Sequence, residues 1–207
     1  MSATKIPGNL FIITAASGAG KTSLLEALLA KDAQIRRSVS HTTRSPRPGE
    51  QEGVHYHFVN EAQFLEILNA GGFLESADVH GAKYGTSQSL VDIGLQAGYD
   101  VVLEIDWQGA AQVRNIYPQA ISIFILPPSV ETLEQRLNTR GQDSAEVIAK
   151  RLAAAREEMS HVVEFDYVTI NDNFEVALQD LTAIIRAQRL SNKVQLQRFA
   201  DLIQTLT

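Results

Sequence analysis

The chain has 207 residues, no cysteine, a formal net charge of −6 and 44% hydrophobic residues. That supports one lobed domain, or two small ones, around a real core, and it excludes disulfides and thiolate metal sites. The acidic balance argues against general nucleic-acid binding, and no signal-peptide pattern or apolar run near the ~18 residues of a membrane span is present. A soluble, cytoplasmic protein with neither nucleic-acid nor membrane partners is therefore expected.

The apolar run Leu10-Phe11-Ile12-Ile13-Thr14 predicts a strand over 10–15. Ser17-Gly18-Ala19-Gly20-Lys21-Thr22 follows as a glycine loop, and Leu24, Leu25, Leu28 and Leu29 then form one stripe of a helix from Gly20 to Lys31. Strand, glycine loop and helix in that order suit a phosphate cradle. Backbone N–H groups and the helix N-terminus attract the anion, Lys21 reaches the terminal phosphates, and the Thr22 hydroxyl binds Mg²⁺. Ala15 stands where the pattern G-x-x-x-x-G-K-[ST] has its first glycine.

The segment 38–91 is richer in Gly, Pro, His and Tyr and reads as a small inserted lobe. Tyr56–Val59 predicts a strand, Asn60 with Gln63 a capped helix, and Gly71-Gly72 its end. No Asp or Glu occurs from Ala33 through Gly49, whereas Arg36, Arg37, Arg44 and Arg47 do. Arg44 and Arg47, stiffened by Pro46 and Pro48, suit a clamp on one phosphate monoester, with Tyr56 and Tyr84 as hydroxyl donors. The competing reading is a solvated basic loop. Arg36 and Arg37 receive no role.

Val101–Asp106, Ile121–Leu126 and Tyr167–Ile170 predict further strands, so the fold class is α/β: a parallel sheet flanked by helices on both faces. After Pro127-Pro128, Ser129 starts a helix through Leu133 and Leu137. Arg140-Gly141 ends it, and Asp143-Ser144 caps a second helix with Glu146 in its first turn and Lys150, Arg151 and Arg156 along it. The pair is either a mobile lid or an ordinary helical hairpin. An amphipathic helix from Phe174 onward serves packing alone. Trp107 is expected beside the sheet, and the five histidines show no metal spacing. A phosphate loop alone leaves open whether water or a small acceptor receives the phosphoryl group, but the chain's size and two insertions favour a small-molecule kinase.

Ser40-His41-Thr42-Thr43-Arg44-Ser45-Pro46-Arg47-Pro48-Gly49-Glu50 with Tyr56 resembles the nucleoside-monophosphate-binding segment of guanylate kinases. Phe73-Leu74-Glu75, Tyr84-Gly85-Thr86, Leu103–Gly109, Ile125–Ser129, Arg140-Gly141 and Ile170-Asn171-Asp172 match the same family in order over nearly the whole chain, as one unit of about 8–190. The resemblance implies a P-loop core (1–37, 92–128 and 160–207), a GMP-binding lobe (38–91) and a lid (129–159). It implies ATP-dependent phosphorylation of GMP, and of dGMP, with Mg²⁺. ATP would lie on Ala15, Ala16, Ser17, Gly18, Ala19, Gly20, Lys21 and Thr22, with Arg136, Arg140 and Asn171. Lys21, Arg44, Arg136, Arg140 and Arg151 would act on the transferring phosphoryl group. GMP would lie on Ser40, Arg44, Arg47, Tyr56, Glu75, Tyr84, Thr86 and Glu104, and Asp106 would hold Mg²⁺ through water. Carboxylates beside hydroxyls suit the guanine edge, because N1–H and N2–H₂ donate while O6 and N7 accept. Glu104 stands where several members have Asp, and Ala16 where many have Pro. The alternatives are a non-catalytic guanylate-kinase-like binding module and a kinase with another base preference. Oligomeric state is left open, a homo-oligomer included.

Overall fold

The computed structural model describes residues 6–79, 81–139 and 145–207. Arg140, Gly141, Asp143, Ser144 and His80 lie outside the described residues. The first strand, β1 (Leu10–Ala15), is apolar but for Thr14, and Phe11, Ile12 and Ile13 are wholly buried. Each such side chain contributes about 1.5–3 kcal/mol on leaving water.

The chain continues through α1 (Lys21–Lys31), β2 (Ile35–Arg37), β3 (His41–Thr42), β4 (His57–Phe58), α2 (Glu61–Asn69), β5 (Phe73–Val79), β6 (Ala82–Ser87) and α3 (Gln88–Gln96). It then forms β7 (Asp100–Glu104), α4 (Trp107–Ile116), β8 (Ile121–Leu126), α5 (Val130–Thr139) and α6 (Ala145–Ser160). A 3-10 turn (His161–Glu164), β9 (Tyr167–Ile170), α7 (Phe174–Arg189), α8 (Asn192–Arg198) and α9 (Ala200–Leu206) complete it.

Among the described residues two sheets form. The larger has the order β2-β7-β1-β8-β9, and all its pairs are parallel. The alternation of β1 explains its two covered faces. Phe11 and Ile13 pack with Leu24, Leu25 and Leu28 of α1 and with Ala177, Leu178, Leu181 and Ile185 of α7. Leu10 and Ile12 pack on the other side with Val91 and Leu95 of α3 and Ala110 and Val113 of α4. The expected parallel sheet is thus observed, and α1 buries three of its four predicted stripe residues, with Leu29 only partly covered.

The smaller sheet has the order β4-β3-β6-β5. β3 runs parallel to β4 and antiparallel to β6, and β5 runs antiparallel to β6. Its register sets Glu75 opposite Thr86, and Tyr84 opposite both Ala77 and Thr42. The helix α2 begins with the predicted capping box: the Asn60 side chain accepts from the Gln63 N–H, and Gln63 accepts from the Asn60 N–H, both at 2.9 Å. Phe64 of this helix stacks on Phe73 of β5 with centroids 4.7 Å apart. No helix among the described residues is long and apolar enough to cross a membrane.

Candidate active site

The C-terminal ends of the parallel strands meet the smaller sheet, and the cleft between them collects the polar side chains. In an open parallel sheet this is the edge where ligands bind. The loop from Ala15 to Thr22 leaves the central strand there. Ala15 is still the last residue of β1, in strand conformation, so the absent first glycine removes nothing the backbone needs. Gly20 is different. Its φ is +97°, and a Cβ there would lie 2.3 Å from the Asn171 Nδ2. Positive φ and close approach both demand glycine.

Asn171 is buried, and its Nδ2 donates to the Ala19 carbonyl at 2.8 Å. Arg136 donates to the same carbonyl at 3.4 Å and to the Asn171 carbonyl at 3.0 Å. Both residues therefore brace the loop from behind. Asn171 and Arg136, expected at the adenine and the phosphates of ATP, here hold backbone oxygens through the Asn171 amide and both Arg136 terminal nitrogens. Arg151 does reach the loop's front, where its Nη2 donates to the Ser17 hydroxyl at 3.0 Å. Glu158, seven residues on and so on the same face of α6, accepts from the Ser17 N–H at 3.1 Å. No motif in the sequence marks Glu158, though its helical spacing from Arg151 is a usable signal.

Lys21 lines the cleft. Burial pushes its ammonium pKa down, and Glu104, Asp106 and Glu158 pull it back up, in that order of strength. The Thr22 hydroxyl donates to Glu104 Oε1 at 2.8 Å. Glu104, expected at the guanine edge, thus also contacts the loop. Glu104 pairs in register with Ile13 of β1, and it lines the cleft with Lys21 of the loop and with Ser40 and Tyr56 of the lobe. Asp106 caps α4, accepting from the Gly109 N–H at 2.8 Å, and its charge is felt by Glu75. Among the described residues no cluster of three or more His, Cys, Asp or Glu forms a metal site. Thr22 and Glu104 offer two hard oxygens, which suits a Mg²⁺ that brings phosphate and water as its remaining ligands.

On the lobe side, Glu75 is buried and accepts from the Thr86 hydroxyl at 2.5 Å. Burial is the main cause that raises its pKa to about 7; Asp106 adds to this and the Thr86 hydrogen bond opposes it. A Cβ on Gly109 would lie 2.9 Å from Glu75 Oε2, so that glycine admits the carboxylate. Ser40 Oγ lies 3.4 Å from Thr86 Oγ1. The register thus brings Glu75 of β5 and Thr86 of β6 together with Ser40, which precedes β3.

Arg44 is fixed on every side. Its Nη2 donates to Glu50 at 2.7 Å, its Nη1 to the Ser45 carbonyl at 2.8 Å and its Nε to the Tyr84 hydroxyl at 3.3 Å. Its guanidinium also lies 5.4 Å from the Tyr56 ring centroid. Glu50 is held down at about 2, first by Arg44 and then by the Arg47 N–H at 2.7 Å. Arg47 reaches the cleft wall with Tyr56. Glu50 stands in the motif without an expected role, and nothing in local periodicity marks it. Trp107, expected beside the sheet, instead stacks on His161 with centroids 3.5 Å apart and planes within 8°. That stack joins the start of α4 to the 3-10 turn after α6.

Two neighbouring pockets share Lys21, Ser40, Tyr56 and Glu104, so loop and lobe face one continuous cleft. The guanylate kinase family model matches residues 7–188. The chain belongs to the guanylate kinase family. It is 72% identical over 199 residues to a guanylate kinase of Methylobacillus flagellatus, covering 96% of this chain and 98% of that one. It is 55% identical over 201 residues to a guanylate kinase of Vibrio cholerae, covering 96% and 97%. The crystal structure of guanylate kinase from Anaplasma phagocytophilum is similar at a TM-score of 0.74 and 31% identity, over 94% of this chain and 97% of that one. The resemblance stated from the motifs is borne out.

Proposed function

We propose that the protein transfers the γ-phosphoryl group of ATP to GMP, giving ADP and GDP, with ATP on the loop 15–22 and GMP in the lobe 38–91. The observation that carries this reading is the cleft itself. A phosphate loop with Lys21 faces a lobe in which a buried carboxylate, Glu75, stands beside two hydroxyls. Guanine presents N1–H and N2–H₂ to a carboxylate and O6 and N7 to hydroxyls. Adenine has no N1–H and carries an amino group in place of O6, so it would leave Glu75 without a donor in a buried site. Such mismatches support discrimination on the order of 10⁴-fold.

Each group has a defined task. Backbone N–H groups of the loop and the N-terminus of α1 receive the ATP phosphates. Lys21 places its charge on the transferring group. Arg44, Arg47, Tyr56 and Tyr84 hold the GMP phosphate, which as a dianion is already a nucleophile and needs no general base. Glu104 orients the Thr22 hydroxyl toward the metal side, and Asp106 serves the guanine side with Glu75. Thr22 and Glu104 would hold Mg²⁺ brought with ATP, which would supply charge neutralisation at the transferring group. Arg151 and the helices of 129–159 close over the loop, with Arg136 and Asn171 holding its shape, and closure excludes water.

An ADP-release assay with ATP against GMP, dGMP, AMP, UMP and dTMP tests the reading. Activity with GMP and dGMP is expected. Turnover of AMP but not GMP would refute it, and a folded protein inactive with all of them would favour a binding module.

A further inference from the structure

Arg37, to which the sequence alone gives no role, closes a ring of side chains around Thr22. We infer that Arg37 is a positioning residue that holds Glu104 against the Thr22 hydroxyl; the inference rests on the proposed metal role of that pair. Arg37 ends β2, the edge strand, in register with Val102 of β7, two residues before Glu104. Its Nη2 lies 2.6 Å from Glu26 Oε1 and 3.7 Å from Glu104 Oε2. The other Glu104 oxygen accepts from Thr22. Thr22 and Glu26 are four residues apart on α1 and so share one face. Helix, carboxylate, guanidinium and carboxylate therefore form a closed circuit: Thr22 to Glu104 to Arg37 to Glu26 and back along one helical turn.

The circuit has a competitor, which gives Arg37 something to do. Glu104 is the strongest anionic influence on Lys21, and Arg37 acts on Lys21 in the opposite sense. Without Arg37, the Glu104 carboxylate is free to swing toward the ammonium. That would release the Thr22 hydroxyl and partly neutralise the lysine meant for phosphate. With Arg37 in place, one Glu104 oxygen faces the guanidinium and the other keeps the Thr22 hydrogen, which turns the lone pairs of Thr22 Oγ1 outward. The Arg37 side chain is only 18% exposed, so solvent screens the contact incompletely. A guanidinium suits the place because, anchored on Glu26 through Nη2, it keeps its charge facing Glu104 as well, whereas an ammonium is a point charge on a flexible stem.

The test is calorimetric titration of ATP, once with EDTA and once with excess MgCl₂, on wild type, Arg37→Met, Arg37→Lys and Glu26→Gln. In Arg37→Met the metal-dependent gain in ATP affinity is expected to fall about three- to ten-fold, with metal-free affinity within two-fold of wild type. Arg37→Lys should recover part of that loss, and Glu26→Gln should show a smaller loss of the same sign. In turnover, kcat should fall while the KM for GMP stays within two-fold. An undiminished metal-dependent gain in Arg37→Met overturns the inference alone, as does an equal loss with and without metal. No metal-dependent gain in the wild type overturns the metal reading of Thr22 and Glu104, and Arg37's role with it. Should Arg37→Met not fold, Glu26→Gln decides, because Glu26 is 60% exposed and its change disturbs no core.

Discussion

The phosphate loop and the four-stranded lobe face each other across one cleft but build their polar sites by opposite means. The loop is contiguous, eight residues from Ala15 to Thr22, and its shape is a backbone matter. Gly20 takes a φ of +97°, and Asn171 and Arg136 hold the Ala19 carbonyl from behind. The lobe is a side-chain matter: Glu75 of β5, Tyr84 and Thr86 of β6, and Ser40 just before β3 meet only through sheet register. Each half also carries an internal carboxylate on its anion-seeking group, Glu158 on the Ser17 N–H and Glu50 on Arg44. The contrast teaches that a backbone site tolerates the loss of its first glycine to Ala15, whereas the lobe depends on single side chains at single positions.

The largest expected effect lies on the loop. Lys21→Ala should lower kcat on the order of 10²–10³-fold with the fold retained, because a charge aimed at the transferring group is lost. Single-turnover kinetics with circular dichroism checks this, and a near-normal rate would separate the loop from the chemistry. Next is Glu75→Gln, expected to lower kcat/KM for GMP by about 10²-fold while the KM for ATP holds. Equal losses on both substrates would mean that the two halves are not separable.

Glu75 also sets a pH dependence. Its folded pKa of about 7 lies above the ordinary glutamate value of 4.5, so the stability it contributes is full below the unfolded pKa and lost as pH rises through 7. Glu75→Gln should therefore raise Tm more at pH 8 than at pH 5, by an amount worth about 1–3 kcal/mol. With Glu75 at the guanine edge as proposed, GMP binding runs the other way, since the ionised carboxylate accepts from N1–H and N2–H₂ more strongly than the acid does. Affinity should drop about ten-fold from pH 8 to pH 6 in wild type beyond the drop in Glu75→Gln, which shares the titration of the GMP phosphate itself. A parallel pH profile in the two proteins would remove Glu75 from the guanine edge. The smallest effect is on the lid. Glu158→Gln removes a negative charge from the loop's mouth, so ATP should bind about two- to five-fold tighter by calorimetry. Weaker binding would make Glu158 a support of the loop rather than a competitor for it.

The same contrast explains what is legible in the sequence. The strand, loop and helix of 10–31 are read from adjacent residues, as is the capping box at Asn60 and Gln63. The lobe residues become visible only as an ordered motif set, because Glu75 alone looks like any strand glutamate. The different settings of Glu104 and Asp106 are not legible, because two carboxylates two residues apart look alike in sequence and differ only in backbone setting. Glu104 still faces β1, and Asp106 has already turned to cap α4. Arg37 is illegible because Glu26 sits on the preceding helix α1 and Glu104 on β7, far along the chain, and the three meet only where that helix and the parallel strands come together.

If the loop binds the phosphates of any nucleotide while the lobe alone reads the base, base preference must fall with Glu75. The most direct measurement is the ratio of kcat/KM for GMP to that for AMP, with ATP as donor, in wild type and Glu75→Gln. A ratio on the order of 10⁴ is expected in wild type, falling at least 10²-fold in the variant with the KM for ATP unchanged. A ratio near one in wild type, or a ratio that survives the substitution, would contradict this division of labour.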